Sequence, residues 1–531
     1  MTWRGTRASV GDGMAERTRR RRLIYNEDGD TLGGFRSRLH EAPMSAEDYL
    51  SELFAPLAGT HVDTYVWCCG ATHGLNLVPP GGERRALWME HHRTADGKFL
   101  NVHNWRSWCN LQSFLQAGHS PPELVARGAR DCGMELFFSL RMNDAHDAHD
   151  PDPEVAAAGA GGISPIKSEH PDWLIGEPGA AYEPRSIPWW MRRAFDYAAE
   201  GCRDHVLGLV EEILGFDNDG VELDFMSHPF LFRLGRERQD APLLTAMIRR
   251  VKALAAARGK SLMVRVPGSI ERCERIGIDV RAWIREQIVD VLSLGRSVTP
   301  ATIPTGAWMR AVAGTACQVF PSINPNHDPR LARAEALRAF AMLHLRDGAH
   351  GVYLFNFFRQ PFSKHYRQFF DLDRWGWDAL REIGDLDTLA TRDKLYIFDF
   401  LKASTPGAYG HGIPEELVDL PLELAGDGQQ GRVRFRIGDR LDGSVPQEIA
   451  LRVEIANLTG RDELELAVNG RRLVGEKRTY PYQYGAEILF PMSPHVLNTG
   501  ANELEVTVRK RNPHIHPPLI VEWAEVSIRY R

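Results

Sequence analysis

Glu222 and Asp224 stand one residue apart in the run Asp219-Gly220-Val221-Glu222-Leu223-Asp224-Phe225. In an extended strand, side chains alternate between faces, so the two carboxyls point one way and Val221, Leu223 and Phe225 the other. The rise of roughly 3.3 Å per residue separates their backbones by about 7 Å. Carboxyls crowded in a sheltered place push each other's protonation apart, so one tends to keep its proton while the other stays charged. Such a pair offers an acid beside a base or nucleophile. A buried charge needs a partner, and Arg141 and Arg265, each inside an otherwise apolar run, are the available cations. Asp144 is a third carboxyl close in sequence to Arg141, and is read as a substitute acid.

The elements that position these groups are legible in the hydrophobic pattern. Short apolar runs fall at 23–26, 64–70, 135–143, 220–225, 262–267, 290–295, 316–323 and 351–357. Between them lie segments of helical period: Phe195, Ala199, Cys202, Val206, Leu209 and Ile213 form one face, and Leu244, Met247, Ile248, Val251 and Leu254 another. Pro121-Pro122 opens a further helix, and Gly133 and Gly259 mark helix ends. Eight strand-plus-helix units predict a closed (β/α)8 barrel, the TIM-barrel form of the α/β class. A doubly wound open sheet uses the same alternation. Its Gly-rich phosphate loop is replaced after the first run by Asn26-Glu27-Asp28-Gly29-Asp30, which favours the barrel.

Barrel sites form at the carboxyl ends of the strands. The residues read as substrate contacts are Asp28, Trp67, Arg141, Asn143, His146, Asp147, His228, Arg265, Gln318 and Asn356, with Trp189 and Trp190 as flat apolar surfaces. Further loop tryptophans stand at Trp105, Trp108, Trp173 and Trp308.

The domain reading is a basic leader over 1–20, a barrel over 21–402, a linker over 403–415 and an all-β sandwich over 416–531. Beyond 403 helical period gives way to alternating strands, with an Asn469-Gly470 hairpin turn. The 64 Lys and Arg against 70 Asp and Glu give a net charge of -6, both signs being spread along the chain, which offers nucleic acid no basic surface. No apolar run reaches the roughly 18 residues of a membrane span, and the basic start lacks the apolar core of a secretory signal. Seven cysteines without paired spacing read as reduced thiols and a cytoplasmic location. No cofactor or metal is expected, and the oligomeric state is not encoded in any pattern.

A protonated carboxyl beside an ionised one is the division of labour that glycoside hydrolysis needs. The run 219–225, with Arg141-Met142-Asn143-Asp144-Ala145-His146-Asp147 and Gly351-Val352-Tyr353-Leu354-Phe355-Asn356, resembles the barrels labelled family-10-like glycosyl hydrolases. The likeness covers roughly 20–400. It implies a (β/α)8 fold, a carbohydrate ligand and Asp224 at the reacting centre. The large retaining-glycosidase clan has an Asn-Glu pair after strand four and a nucleophilic Glu after strand seven. Here strand four carries Glu222-Leu223-Asp224 and strand seven reads Cys317-Gln318-Val319-Phe320-Pro321, with no acid. The roles therefore rest on this chain's residues: Asp224 as nucleophile or base, Glu222 as acid. Two other assignments use the same groups. One is a metal-dependent sugar-processing barrel, with Asp144, His146, Asp147, His149, Asp150, Glu222 and Asp224 as ligands. The other is a non-catalytic carbohydrate-binding protein on a glycosidase scaffold.

Overall fold

A computed structural model describes residues 21–27, 29–33, 42–72, 74–75, 97–99, 102–145, 148, 165–177, 179–183, 186–295, 300–324, 329–357, 376–400, 418–441 and 446–530. Eight parallel strands close on themselves: β1 (Leu23–Glu27), β2 (Val62–Ala71), β3 (Glu135–Arg141), β4 (Gly220–Asp224), β5 (Ser261–Val266), β6 (Val291–Leu294), β7 (Gln318–Ile323) and β8 (Val352–Leu354). Each pairs with the next, and β1 pairs with both β2 and β8, which completes the barrel.

Alternation decides what faces where. Val221, Leu223 and Phe225 join the apolar shell under the helices. Ile24, Val66, Phe137, Met263, Val291, Phe320 and Tyr353 form a separate inner cluster, one residue from each strand except β4. On β4 the corresponding place belongs to Gly220, where a Cβ would lie 2.3 Å from the Phe137 ring and 2.4 Å from the Ser261 carbonyl. The missing side chain makes room for Phe137. Gly220→Ala is therefore expected to cost about 1–3 kcal/mol through overpacking, seen as a lower melting temperature. Gly208→Ala, on a helix where nothing lies within 4 Å, should be neutral or slightly stabilising.

Below this layer the barrel's amino end is closed by polar groups. Arg21 reaches Glu135 through two bonds of 2.6 Å and Gln318 through a third of 2.6 Å, and Thr64 Oγ1 donates to Glu135 at 3.0 Å.

The helices follow their sequence signals. Pro121–Asp131 starts with a Ser120–Glu123 capping box and two prolines, and Glu200–Ile213 and Glu237–Ala256 bury their periodic faces. The first of these faces begins five residues later than its apolar pattern, because Phe195 belongs to an extended segment bridged to Leu174.

Two antiparallel sheets of a β-sandwich follow the barrel. One holds Lys394–Ile397, Leu519–Arg529, Glu448–Ala456, Gly485–Pro491 and Lys477–Tyr482, with Leu422–Leu424 also on Leu519–Arg529. The other holds Gln430–Ile437, Gly500–Lys510, Glu463–Val468 and Arg471–Arg472, turning at Asn469 (φ 52°) and Gly470 (φ 73°). The strand Lys394–Ile397 lies within the span expected for the barrel, yet pairs along Leu519–Arg529. The sandwich thus begins before residue 402. The expected leader over 1–20 and linker over 403–415 lie outside the described residues.

Barrel and sandwich share core. Ala339 and Leu343 of helix Ala334–Arg346 are buried in the sandwich's apolar cluster, and Arg436 pairs with Asp347 at 2.7 Å. Among the described residues no helix is long and apolar enough to cross a membrane. The seven cysteines are free thiols, five of them buried, with Cys109 half-buried and Cys132 exposed.

Candidate active site

Both β4 carboxyls face the barrel interior, where neighbouring strands surround them in register: Ser139 lies opposite Glu222, and Arg141 and Arg265 flank Asp224. Each acid has its own set of partners. Glu222 accepts a hydrogen bond of 2.7 Å from Ser139 Oγ, and Tyr353 OH donates to its two oxygens at 2.8 and 3.1 Å. All three bonds come from neutral hydroxyls. Complete burial, and after it the negative charge of Asp224, push the Glu222 carboxyl up to about 7.

Asp224 instead has a cation. Arg265 grips it with two parallel bonds, Nε to Oδ1 and Nη2 to Oδ2, each 2.9 Å, and the Met226 N–H adds a third at 2.7 Å. The pair is almost wholly shielded, with 4% and 2% of the two side chains exposed. A planar fork against a carboxylate fixes orientation as well as charge. The guanidinium in turn lies 3.6 Å over the Phe355 ring, which positions the fork. Glu222 thus has neutral hydroxyls as its hydrogen-bond partners and Asp224 a guanidinium, two positions apart on the same strand.

Asp144 follows β3 and is also buried; its Oδ2 lies 3.5 Å from Arg141 Nη1, and Lys167 Nζ donates to its backbone carbonyl at 2.6 Å. The Met142 N–H donates to the Asp224 carbonyl at 2.9 Å, tying the ends of β3 and β4 together. Of the charged side chains in the cluster Arg141 is the most open, with 17% exposed against 4% or less for the others.

The other residues expected at the mouth divide into several groups. Asn356 is there, in the left-handed region at φ 50°, and its N–H donates to Asn26 Oδ1 at 3.2 Å, joining the ends of β8 and β1. His228, four residues beyond Asp224, is buried. Asn143 stands at the end of β3, but its amide is engaged by backbone: the oxygen accepts from Phe195 N at 2.8 Å, and the nitrogen donates to Phe195 O at 3.0 Å and to Phe230 O. It ties two loops together.

Two residues lie away from the mouth. Trp67 points outward into the shell beneath the helices, edge-on to Phe138, because inward parity on β2 belongs to Thr64 and Val66. Gln318 begins β7 instead of ending it, and joins Arg21 at the barrel's amino end. Trp189 and Trp190 meet edge-on at 88°; Arg192 covers Trp189 at 4.1 Å, and Trp190 packs beside Ile175, Met191, Ala194 and Phe230. Trp308 is buried and donates to Gly268 O, while Trp173 lies under His170 at 3.8 Å. Asp28, His146 and Asp147 lie outside the described residues.

Sequence reasoning missed Ser139, Tyr353, Phe355 and Lys167. The first was within reach, since counting back in twos from Arg141 places Ser139 inward. Among the described residues no group of three His, Cys, Asp or Glu side chains is placed to hold a metal ion.

No family model matches the chain, and no curated protein matches it. Several solved structures are similar in outline. An alpha-amylase from Lactobacillus plantarum aligns with a TM-score of 0.38 at 10% identity, over 92% of this chain and 99% of that one. A noncanonic maltogenic alpha-amylase from Thermotoga neapolitana aligns at 0.37 and 10%, over 95% and 99%. A Paenibacillus sp. cycloisomaltooligosaccharide glucanotransferase complexed with cycloisomaltoheptaose aligns at 0.31 and 10%, over 95% of this chain but 57% of that one. Likeness at these scores assigns no chemistry, which has to come from the residues of the site.

Proposed function

We propose that this chain is a glycoside hydrolase acting on an oligosaccharide or glycoside, with Asp224 as the ionised carboxylate and Glu222 as the acid. The observation that carries the reading is the contrast on β4, where one carboxyl is held by a guanidinium and its neighbour is lifted to about 7 by burial. In hydrolysis Glu222 gives its proton to the leaving oxygen as the glycosidic bond breaks. Asp224 either attacks the anomeric carbon or takes a proton from the attacking water. Asp144, next to the more open Arg141, is the substitute acid. Arg141, His228 and Asn356 are the remaining side chains of this end of the barrel that we assign to sugar hydroxyls.

Chromogenic glycosides and a panel of polysaccharides, assayed for released aglycone and new reducing ends, test this. Hydrolysis of at least one is expected, and none by wild type across the panel overturns the proposal. The tight Arg265–Asp224 grip supports a second reading, in which the scaffold binds glycans without cleaving them. In that case wild type and Asp224→Asn would retain polysaccharide alike and release nothing.

Tyr353 supplies a further check. Its hydroxyl bonds stabilise the charged form of Glu222. In Tyr353→Phe the Glu222 carboxyl should rise further, and the alkaline limb of the rate profile should move up by about 0.5–1 pH unit, the worth of one hydrogen bond. The rate in the acidic plateau should change little.

A further inference from the structure

Among the described residues the sandwich reaches the carboxyl side of the barrel at two points. Asp399 lies just beyond the strand Lys394–Ile397, where the neighbouring Phe398 and Phe400 are buried in the sandwich core. Its carboxylate accepts the N–H of Ala301 at 3.1 Å through one oxygen and that of Thr302 at 2.6 Å through the other. These amides belong to the short 3-10 turn Pro300–Thr302 that follows β6. Ile303, the next residue, fills the space beside two glycines. A Cβ on Gly295, after β6, would lie 2.8 Å from its side chain, and one on Gly268, after β5, would lie 3.5 Å away. Gly268 O is further held by Trp308 Nε1 at 2.7 Å. Gly268 is three residues past Arg265. A continuous set of contacts thus runs from Asp399 to the end of the strand that carries the Asp224 clamp.

Arg330 makes the second point. It belongs to the turn Pro329–Ala332 after β7, and its guanidinium lies 3.2 Å over the Trp523 ring of the sandwich, with Glu454 at 3.5 Å. Trp523 is itself fixed, donating Nε1–H to Glu525 at 2.9 Å.

We propose that the C-terminal sandwich braces the carboxyl face of the barrel, with Asp399 and Arg330 as positioning residues for the segments that follow β5, β6 and β7. The brace acts on the reaction through Arg265 and Asp224, and in that respect rests on the glycosidase reading above. Charge-assisted bonds from one carboxylate to two backbone amides are strong and directional. Without them the 300–303 segment is free to shift against Gly268 and Gly295, and a displacement of about 1 Å at a reacting group costs up to roughly 100-fold in rate.

Hydrogen exchange and kinetics on the full-length chain decide the matter. Asp399→Ala should speed amide exchange in 301–303 by at least about ten-fold while β1–β8 keep their protection, as expected for local opening. Arg330→Ala should do the same in 330–333 alone. On a glycoside that wild type hydrolyses, Asp399→Ala should lower kcat about ten-fold with KM within roughly two-fold, and Asp399→Asn, which keeps an acceptor oxygen, should fall between. Unchanged exchange at 301–303, or equal loss throughout the barrel, overturns the brace. Faster exchange with kcat unchanged overturns the positioning role. A wild-type chain that cleaves no glycoside while the exchange result holds overturns the glycosidase reading and leaves the brace standing.

Discussion

Asp224→Asn is expected to abolish hydrolysis, lowering kcat/KM by at least about 10⁴-fold, the scale seen when a reacting group is removed from a site that acts as a unit. The substitution removes the negative charge without changing the outline of the side chain. It also removes the partner of Arg265. An amide offers the fork one acceptor where the carboxylate offered two, and turns its NH2 toward guanidinium N–H groups that are buried with 4% exposure. Breaking a buried pair in this way typically costs about 3–5 kcal/mol, because the remaining charge has nowhere to go. The variant should therefore fold, melt lower and be inactive.

That dual effect calls for a control that separates chemistry from stability. Asp224→Asn combined with Arg265→Met removes both charges, so no guanidinium is left buried without its counter-charge. The double variant should regain part of the lost melting temperature, with a coupling of about 0.5–3 kcal/mol between the two positions. It should not regain activity. If Asp224→Asn alone hydrolyses substrate at near wild-type rate, Asp224 is not at the reacting centre. If the double variant regains hydrolysis, the loss came from misfolding.

The fold was the more legible part of this chain, because a barrel strand declares itself through a run of apolar residues and a helix through its period. All eight runs became strands. What the runs left open was where along each strand, and on which face, a given side chain stands. Gln318 is expected at the mouth although it stands near the start of the run 316–323; the strand starts at Gln318 itself, so the residue belongs to the opposite end. Trp67 shows the same difficulty in another form: the inward set Thr64 and Val66 assigns it outward, but this parity depends on register that pairing with β1 and β3 fixes. The β4 pair was readable for the opposite reason, since its two acids share a parity and bulky apolar residues occupy the other.

Partners distant in sequence were beyond reach. Asn143 is engaged by backbone atoms of Phe195 and Phe230, 52 and 87 positions away, and no residue type announces an available carbonyl. The strand Lys394–Ile397 finds its neighbour in Leu519–Arg529, so its place in the sandwich depends on a contact made across the whole second domain.

Glu222→Gln carries the second large expectation, and its sign follows from the direction of the carboxyl's shift. Burial and the neighbouring Asp224 lift this group from its ordinary 4.5 to about 7. As an acid it is competent while protonated, so its titration alone should leave the wild-type rate level below about pH 7 and lower it about ten-fold per pH unit above. An amide side chain at this position can donate no catalytic proton, so the variant should lose at least about 100-fold on glycosides with poor leaving groups and show no break near neutrality. On aryl glycosides whose leaving groups need little protonation the loss should be much smaller, an outcome that a merely structural Glu222 would not produce. Stability runs in parallel. Because the folded-state value is raised, the stabilising contribution of protonation is fully present below about 4.5 and is lost as pH rises through about 7. Its size, at 1.36 kcal/mol per pK unit, is on the order of 3 kcal/mol. A neutral glutamine escapes that loss, so raising the pH from about 5 to about 9 should lower the wild-type melting temperature relative to the variant. Melting curves that stay parallel across this range would mean that Glu222 is charged throughout, and an acid already deprotonated has no proton to give the leaving oxygen.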